Sequence, residues 1–278
     1  MSFDTIAGSP VGTRMLDHLV FEGFAGARPL TDLSEAALYE LVTRAAVEIS
    51  SEKWSASPGR FWPWEERASA ELVEQLARAV ASSAAARWWS GGVFDRPQVW
   101  VGRAYSAPAA GIASRGLGAK PPTELWTSSA LAGEPSAWWP VLREGADDAP
   151  PDGPQSIWRI TPPAAARVLE IRTPADWRLL CEMFPGPVRD GLVTPDWAEA
   201  REHFDGVHLT VEGLIRVQGL EVDTKHGPAM LDDWDAESTA WLRWSVADLE
   251  RLGTIEVERR AEVPFSREIR RGLRRARR

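Results

Sequence analysis

The chain is expected to fold as an α+β protein, with a helical N-terminal region and a mixed, strand-rich remainder. Three observations carry that expectation. Through the first third, apolar residues recur at helical spacing: Leu38, Leu41, Val42, Ala45 and Ile49, then Leu72, Leu76, Ala79, Val80 and Ala84. At Ser90-Gly91-Gly92 the pattern changes to short runs rich in Val, Ile, Thr and Trp. At least six such runs follow, with helices inserted irregularly, which fits α+β better than a doubly wound parallel sheet. The organisation read from this is a helical region over 1–90, a mixed α+β catalytic domain over 91–264 and an Arg-rich tail over 265–278.

Taken in order, a short helix is expected over 12–21. A second starts at Thr31-Asp32-Leu33-Ser34-Glu35, where Ser34 or Thr31 caps and Glu35 lies in the first turn. A third runs over about 65–86. Strands are expected at 98–103 and 124–129, a helix at 136–143 behind Pro135, and strands at 156–161 and 168–171. Thr173-Pro174-Ala175-Asp176 opens the next helix, with Thr173 as cap, Pro174 at the first helical position and Asp176 at the positive end. A helix over 197–203 and a strand over 207–210 come next, and 213–217 reads as a strand pairing with the latter. The chain closes with a strand at 238–246, a short helix at 247–252 and a strand at 254–263.

Composition excludes several classes. The 278 residues are 44% hydrophobic and 26% charged, ordinary for a globular protein. No apolar run approaches the roughly 18 residues of a membrane span, and the N-terminus lacks a secretory pattern. With a single cysteine, Cys181, neither an intramolecular disulfide nor a Cys-based zinc site is possible, so the expectation is a cytoplasmic protein with no metal. A net charge of −8 argues against general nucleic-acid binding by the body. The tail differs: Arg267 to Arg278 holds seven arginines and one acid, Glu268. It reads as a solubilising helix end or as a contact for an acidic partner or nucleic acid. Fifteen tryptophans are an excess; most should be core, and some can line a cleft that stacks a ring.

No P-loop, Gly-x-Gly-x-x-Gly, His-Glu-x-x-His or Gly-x-Ser-x-Gly motif occurs, which excludes the commonest nucleotide-binding, zincin and serine-hydrolase chemistries. The four histidines are scattered, and His203 and His208 read as hydrogen-bonded structural residues. What remains is an ordered set. Arg103 ends one strand, Thr127-Ser128-Ser129 ends the next, and Asp235-Ala236-Glu237 precedes a late strand. A carboxylate at the mouth of a strand can serve as acid, base or electrostatic stabiliser.

That order, over about residues 98–246, resembles the ADP-ribosyltransferase superfamily of the arginine–serine–glutamate type. The resemblance implies a split β-sandwich-like fold around an NAD cleft, with NAD as substrate and a macromolecular acceptor. It implies Glu237, Ser128 and Asp235 as catalytic residues, and Arg103, Thr127, Ser129 and Trp126 as contacts to the dinucleotide. Two positions depart from the family pattern. The hydroxyl triplet is Thr-Ser-Ser, and Asp235 is one methylene shorter than the family's Glu or Gln. The chemistry stands on its own terms: cleaving a nicotinamide–ribose bond passes through an oxocarbenium-like centre that a carboxylate stabilises, and a guanidinium fork suits a phosphate. Two other readings compete. One is a non-catalytic interaction protein of the same fold, docking a partner through its helical region or its tail. The other is a glycoside hydrolase using two of Asp232, Asp233, Asp235 and Glu237, which requires carboxylates about 5–10 Å apart across a cleft.

Overall fold

A computed structural model describes residues 6–21, 33–53, 70–102, 119–123, 125–144, 153–243 and 248–257. The helical N-terminal region comprises α1 (Pro10–Phe21), α2 (Glu35–Lys53) and α3 (Ala70–Ser82), followed by the 3-10 helix Ala84–Ser90. Their apolar stripes, including Met15, Leu19, Leu38, Val42, Leu76 and Val80, are fully or almost fully buried. Ser34 caps α2 by accepting from the Ala37 N–H, and Ser83 starts the 3-10 helix by accepting from the Ala85 N–H.

The remaining elements are β1 (Gln98–Gly102), β2 (Trp126–Ser129), α4 (Trp139–Glu144), β3 (Gly153–Thr161), β4 (Val168–Ile171), α5 (Pro174–Met183), β5 (Pro185–Arg189), β6 (Leu192–Pro195), α6 (Trp197–His203), β7 (Gly206–Leu209), α7 (Val211–Val217), β8 (Glu221–Thr224), β9 (Gly227–Met230), β10 (Ser238–Trp241) and β11 (Asp248–Val257). Seven strands join in the order β11-β3-β1-β2-β10-β7-β4. The sheet is mixed, because β4 and β7 run parallel while the other neighbours are antiparallel. The fold class is therefore α+β with a helical N-terminal region. One continuous core joins α1–α3 to the strands: Tyr39, Val42 and Trp89 belong to the same buried cluster as Ile171, Val207, Leu209 and Ala240.

Local chemistry explains most of these elements. The Thr173 hydroxyl accepts from the Asp176 N–H, and the Asp176 carboxylate accepts from the Thr173 N–H, a complete capping box ahead of α5. Two expected elements are different. Residues 213–217 are helical, within α7, and not a strand. The Thr210 hydroxyl caps that helix by accepting from the Gly213 N–H, and Val211, Leu214 and Ile215 at helical spacing bury against the core. Residues 248–252 begin the long edge strand β11 and do not form a helix. Pairing with β3 satisfies the backbone groups on its inner edge, which outweighs a weak local helical preference. Two hairpins were not anticipated. The β5–β6 turn is Asp190-Gly191, both with positive φ (48° and 82°), as a two-residue hairpin of this type requires. The second hairpin, β8–β9, turns through Lys225-His226, and Gly227 opens β9 with φ 126°. No helix among the described residues is long and apolar enough to cross a membrane.

Candidate functional site

The site is built on four adjacent strands and the loop that feeds one of them. In β4 and β7 a single polar residue sits in an apolar run: Glu170 in Val-Leu-Glu-Ile, and His208 in Gly-Val-His-Leu. Parallel pairing places Glu170 directly beside His208, and antiparallel pairing places His208 beside Thr239 of β10. Thr239 in turn pairs with Thr127 of β2. Side chains alternate across a pleat, so this register lines up a polar row on one face of the sheet, opposite Ile171, Val207, Leu209 and Ala240, which join the core of the N-terminal helices.

Glu237 enters the row from the turn before β10. That turn is tight: Asp233 and Asp235 both take positive φ (59° and 61°), and the Ala236 N–H donates to the Trp234 carbonyl at 2.7 Å. The Trp234 indole is wholly buried, donates to the Ser238 hydroxyl at 2.8 Å and packs edge-on to Trp126. These contacts fix the direction in which Glu237 projects.

Three donors converge on the Glu237 carboxylate. The Ser129 N–H donates at 2.9 Å, the Ser129 hydroxyl at 2.8 Å, and His208 Nε2 lies 2.7 Å away. The Glu237 backbone N–H donates to the Tyr39 hydroxyl of α2 at 2.8 Å. On its other side, His208 Nδ1 lies 2.5 Å from Glu170, whose second oxygen accepts from the Val93 N–H at 2.9 Å. The imidazole therefore bridges two carboxylates. Burial alone would push His208 down, but the hydrogen bonds to Glu170 and Glu237 and their charges outweigh it and raise it to about 9. At neutral pH it is an imidazolium. The Tyr39 hydroxyl is pushed well up by burial and by the nearby Glu237 charge, and stays protonated.

The row continues beyond Ser129. The Thr127 and Thr239 hydroxyls both donate to the Gln98 side-chain carbonyl, at 2.8 and 3.2 Å, and the Trp241 indole donates to Thr127 at 2.9 Å. Gln98, Thr127, Ser129, His208, Glu237 and Thr239 are all almost inaccessible.

A cavity of about 200 Å³ reaches this row, with Ser129 and Glu237 on its floor and Arg87, Trp88, Gly91, Gly92, Arg96 and the exposed carboxylate Asp95 around its mouth. Arg96 is held by the two oxygens of Glu35 at 2.6 and 2.8 Å, and its guanidinium stacks on Trp88 at 4.5 Å. Partial burial pushes Glu35 up, but the hydrogen bonds and charge of Arg96 prevail and hold it below the usual carboxylate range. Arg87 is exposed and makes no ion pair among the described residues, so the mouth carries two guanidinium groups and the Asp95 carboxylate, which accepts from the Gly92 N–H, while a buried carboxylate lies at the floor.

The expected site residues divide between two faces. Ser129 and Glu237 meet, and Thr127 joins the same hydrogen-bonded row. Ser128 points to the opposite face, where its hydroxyl accepts from the Trp138 N–H at 3.0 Å. Trp126 shares that face and lines a second cavity. Asp235 turns away from Glu237 and accepts from the Ser50 hydroxyl of α2 at 2.7 Å. Arg103, the expected helix start at Thr31 and the tail 265–278 lie outside the described residues. Among the described residues, no group of three or more His, Cys, Asp or Glu side chains is arranged to hold a metal ion.

Sequence reasoning did not single out Glu170, Tyr39, Gln98 or Arg87, and it gave His208 only a structural role. A usable signal was present: a lone titratable residue in the middle of each of two short apolar strands. Comparison with protein-family models, with curated proteins and with solved structures finds no match for this chain.

Proposed function

We propose that the chain splits the nicotinamide–ribose bond of NAD, as an ADP-ribosyltransferase or NAD glycohydrolase. The observation that carries this reading is the meeting of Ser129, at the end of β2, and Glu237, in the turn that enters the neighbouring β10, on the floor of a cavity with Arg87 at its mouth. In that reaction the C–N bonding electrons leave with nicotinamide, and positive charge develops on the ribose. A water or an acceptor hydroxyl or amine then forms the new bond and gives up its proton. Glu237 stabilises the cationic centre, and Ser129 and His208 hold its carboxylate in place, so that no reorganisation accompanies the charge development. Arg87 meets the diphosphate at the mouth, and Arg103 keeps its expected role as a phosphate contact. At about 200 Å³ the cavity admits the nicotinamide–ribose end of the dinucleotide and leaves the rest outside. A cytoplasmic location belongs to the same proposal, supported by the buried, unpaired Cys181.

The burial of Glu237 favours a second reading. With 1% exposure and three donors on its carboxylate, it can serve as a structural lock between strands. The chain would then be a non-catalytic interaction protein that docks a partner through its helical region or Arg-rich tail.

Nicotinamide release followed by proton NMR separates the two. The expected result is release by the wild type, about tenfold less by Arg87→Ala at unchanged stability, and about a hundredfold less by Glu237→Gln. Arg87→Ala guards against misfolding, because that side chain is exposed. If calorimetry detects no NAD binding and no nicotinamide appears, the interaction-protein reading replaces the enzymatic one.

A further inference from the structure

The opposite face of the sheet carries a larger cavity, about 450 Å³, that the Glu237 chemistry does not use. We propose that it binds a planar aromatic anion, a ring bearing a carboxylate or a phosphate. Its walls include two half-buried indoles, Trp126 of β2 and Trp138 just before α4. The Lys120 ammonium sits over both, 5.3 Å from the Trp126 ring centroid and 5.5 Å from that of Trp138. A cation thus lies beside half-buried π faces.

The polar groups of this cavity complement an anion. Ser136 is completely buried, lines the cavity, and its hydroxyl has no hydrogen-bond partner. Buried hydroxyls without partners are rare because each forfeits its hydration, and a ligand oxygen supplies the missing acceptor. Ser128 also lines the cavity; its oxygen accepts from the Trp138 N–H, which leaves its own O–H to donate. Two hydroxyl donors and an ammonium therefore surround a space walled by indoles.

That combination selects among ligands. A cationic ring would be repelled by Lys120. A neutral sugar would use the indoles and hydroxyls and gain nothing from the ammonium. An aromatic anion uses all three, and the volume suits one ring system with its charged group. Because consecutive β2 residues point to opposite faces, Ser128 serves this cavity and Ser129 serves Glu237, so each proposal can fail without the other.

Calorimetric titration tests the site with two anions, benzoate and adenosine monophosphate, and their uncharged twins, benzamide and adenosine. At least one anion is expected to bind, with its twin about tenfold weaker, as loss of one charge-assisted contact predicts. Tighter benzoate identifies an aryl carboxylate as the ligand class, and tighter adenosine monophosphate a nucleotide. Lys120→Met should abolish the preference for the charged form. Ser136→Ala, which removes an unsatisfied hydroxyl and so leaves the fold intact, should weaken the anion about threefold to tenfold. The proposal is overturned if neither anion binds below about 10 mM, if each anion and its twin bind equally, or if Lys120→Met leaves anion affinity unchanged.

Discussion

Replacing His208 by Gln should change how stability depends on pH, by an amount the site itself sets. The imidazole is 1% exposed and bridges Glu170 and Glu237. It titrates near 6.5 in an unfolded chain and about 9 in the folded one. The folded chain holds this proton more tightly, so the contribution is complete below pH 6.5 and is lost as the pH rises through 9. The difference between those two values corresponds to about 3 kcal/mol. Chemical denaturation of wild type and His208→Gln at a series of pH values from about 6 to 10 measures it. The stability gap between the two proteins should shrink by about 3 kcal/mol across that interval. Asp17 and Cys181 also have shifted values, but they lie outside the His208 network, are common to both proteins and cancel in the difference. A gap that stays constant with pH would refute the bridging imidazolium, whatever its absolute size.

Two further changes test packing and charge elsewhere. Burial pushes Asp17 of α1 up to about 6 despite the lowering influence of Arg14 and His18, and Glu48 adds to the rise. The folded value is above the unfolded one, so the stability tied to its proton is complete below 3.8 and lost as the pH climbs through about 6. Asp17→Asn should therefore gain about 1 kcal/mol at pH 7, discounted for its partial exposure, and nothing at pH about 3, as urea denaturation would show. Gly213, in the first turn of α7, packs against β4 so closely that an added Cβ would overlap the Ile171 carbonyl oxygen and lie 2.9 Å from Leu209 Cδ1. Gly213→Ala should cost about 2 kcal/mol despite Ala's better helix propensity, and a lowered thermal midpoint would register it.

How far the fold can be read from the sequence depends on where each element's stabilising contacts lie. The α5 start is legible because its contacts are local: Thr173, Pro174 and Asp176 satisfy the helix end among themselves. The β5–β6 hairpin is equally local, since Asp190-Gly191 is a strong two-residue turn signal. The 248–257 strand is a different case. Its partner is β3, some ninety residues earlier, and nothing within the segment announces that pairing. The site divides in the same way. Ser129 and Glu237 were visible as candidates because each stands at a strand end in a recognisable order. Glu170 and His208 become a pair only through the parallel register of β4 and β7, a long-range fact. The alternation along β2 was readable in principle, and it separates Ser128 from Ser129 without any tertiary information.

The polar row also bears on the choice between a catalytic site and a structural lock. Buried ion pairs are weak devices for stability, because well-packed apolar residues of similar volume usually serve as well or better. A sheet that needed only cohesion would gain little from placing two carboxylates and an imidazolium across β4, β7 and the β10 entrance. Such a group does offer a net negative charge, away from water and held by fixed donors, beside a cavity that Arg87 borders. Electrostatic stabilisation of a developing cation requires that arrangement, and it acts without the side-chain rearrangement that a solvated acid would need. The placement of Tyr39 adds to the case. It ties the Glu237 backbone to α2. The N-terminal helices therefore hold the carboxylate at the cavity floor as well as closing the core, and loosening α2 should disturb the site before it unfolds the sheet.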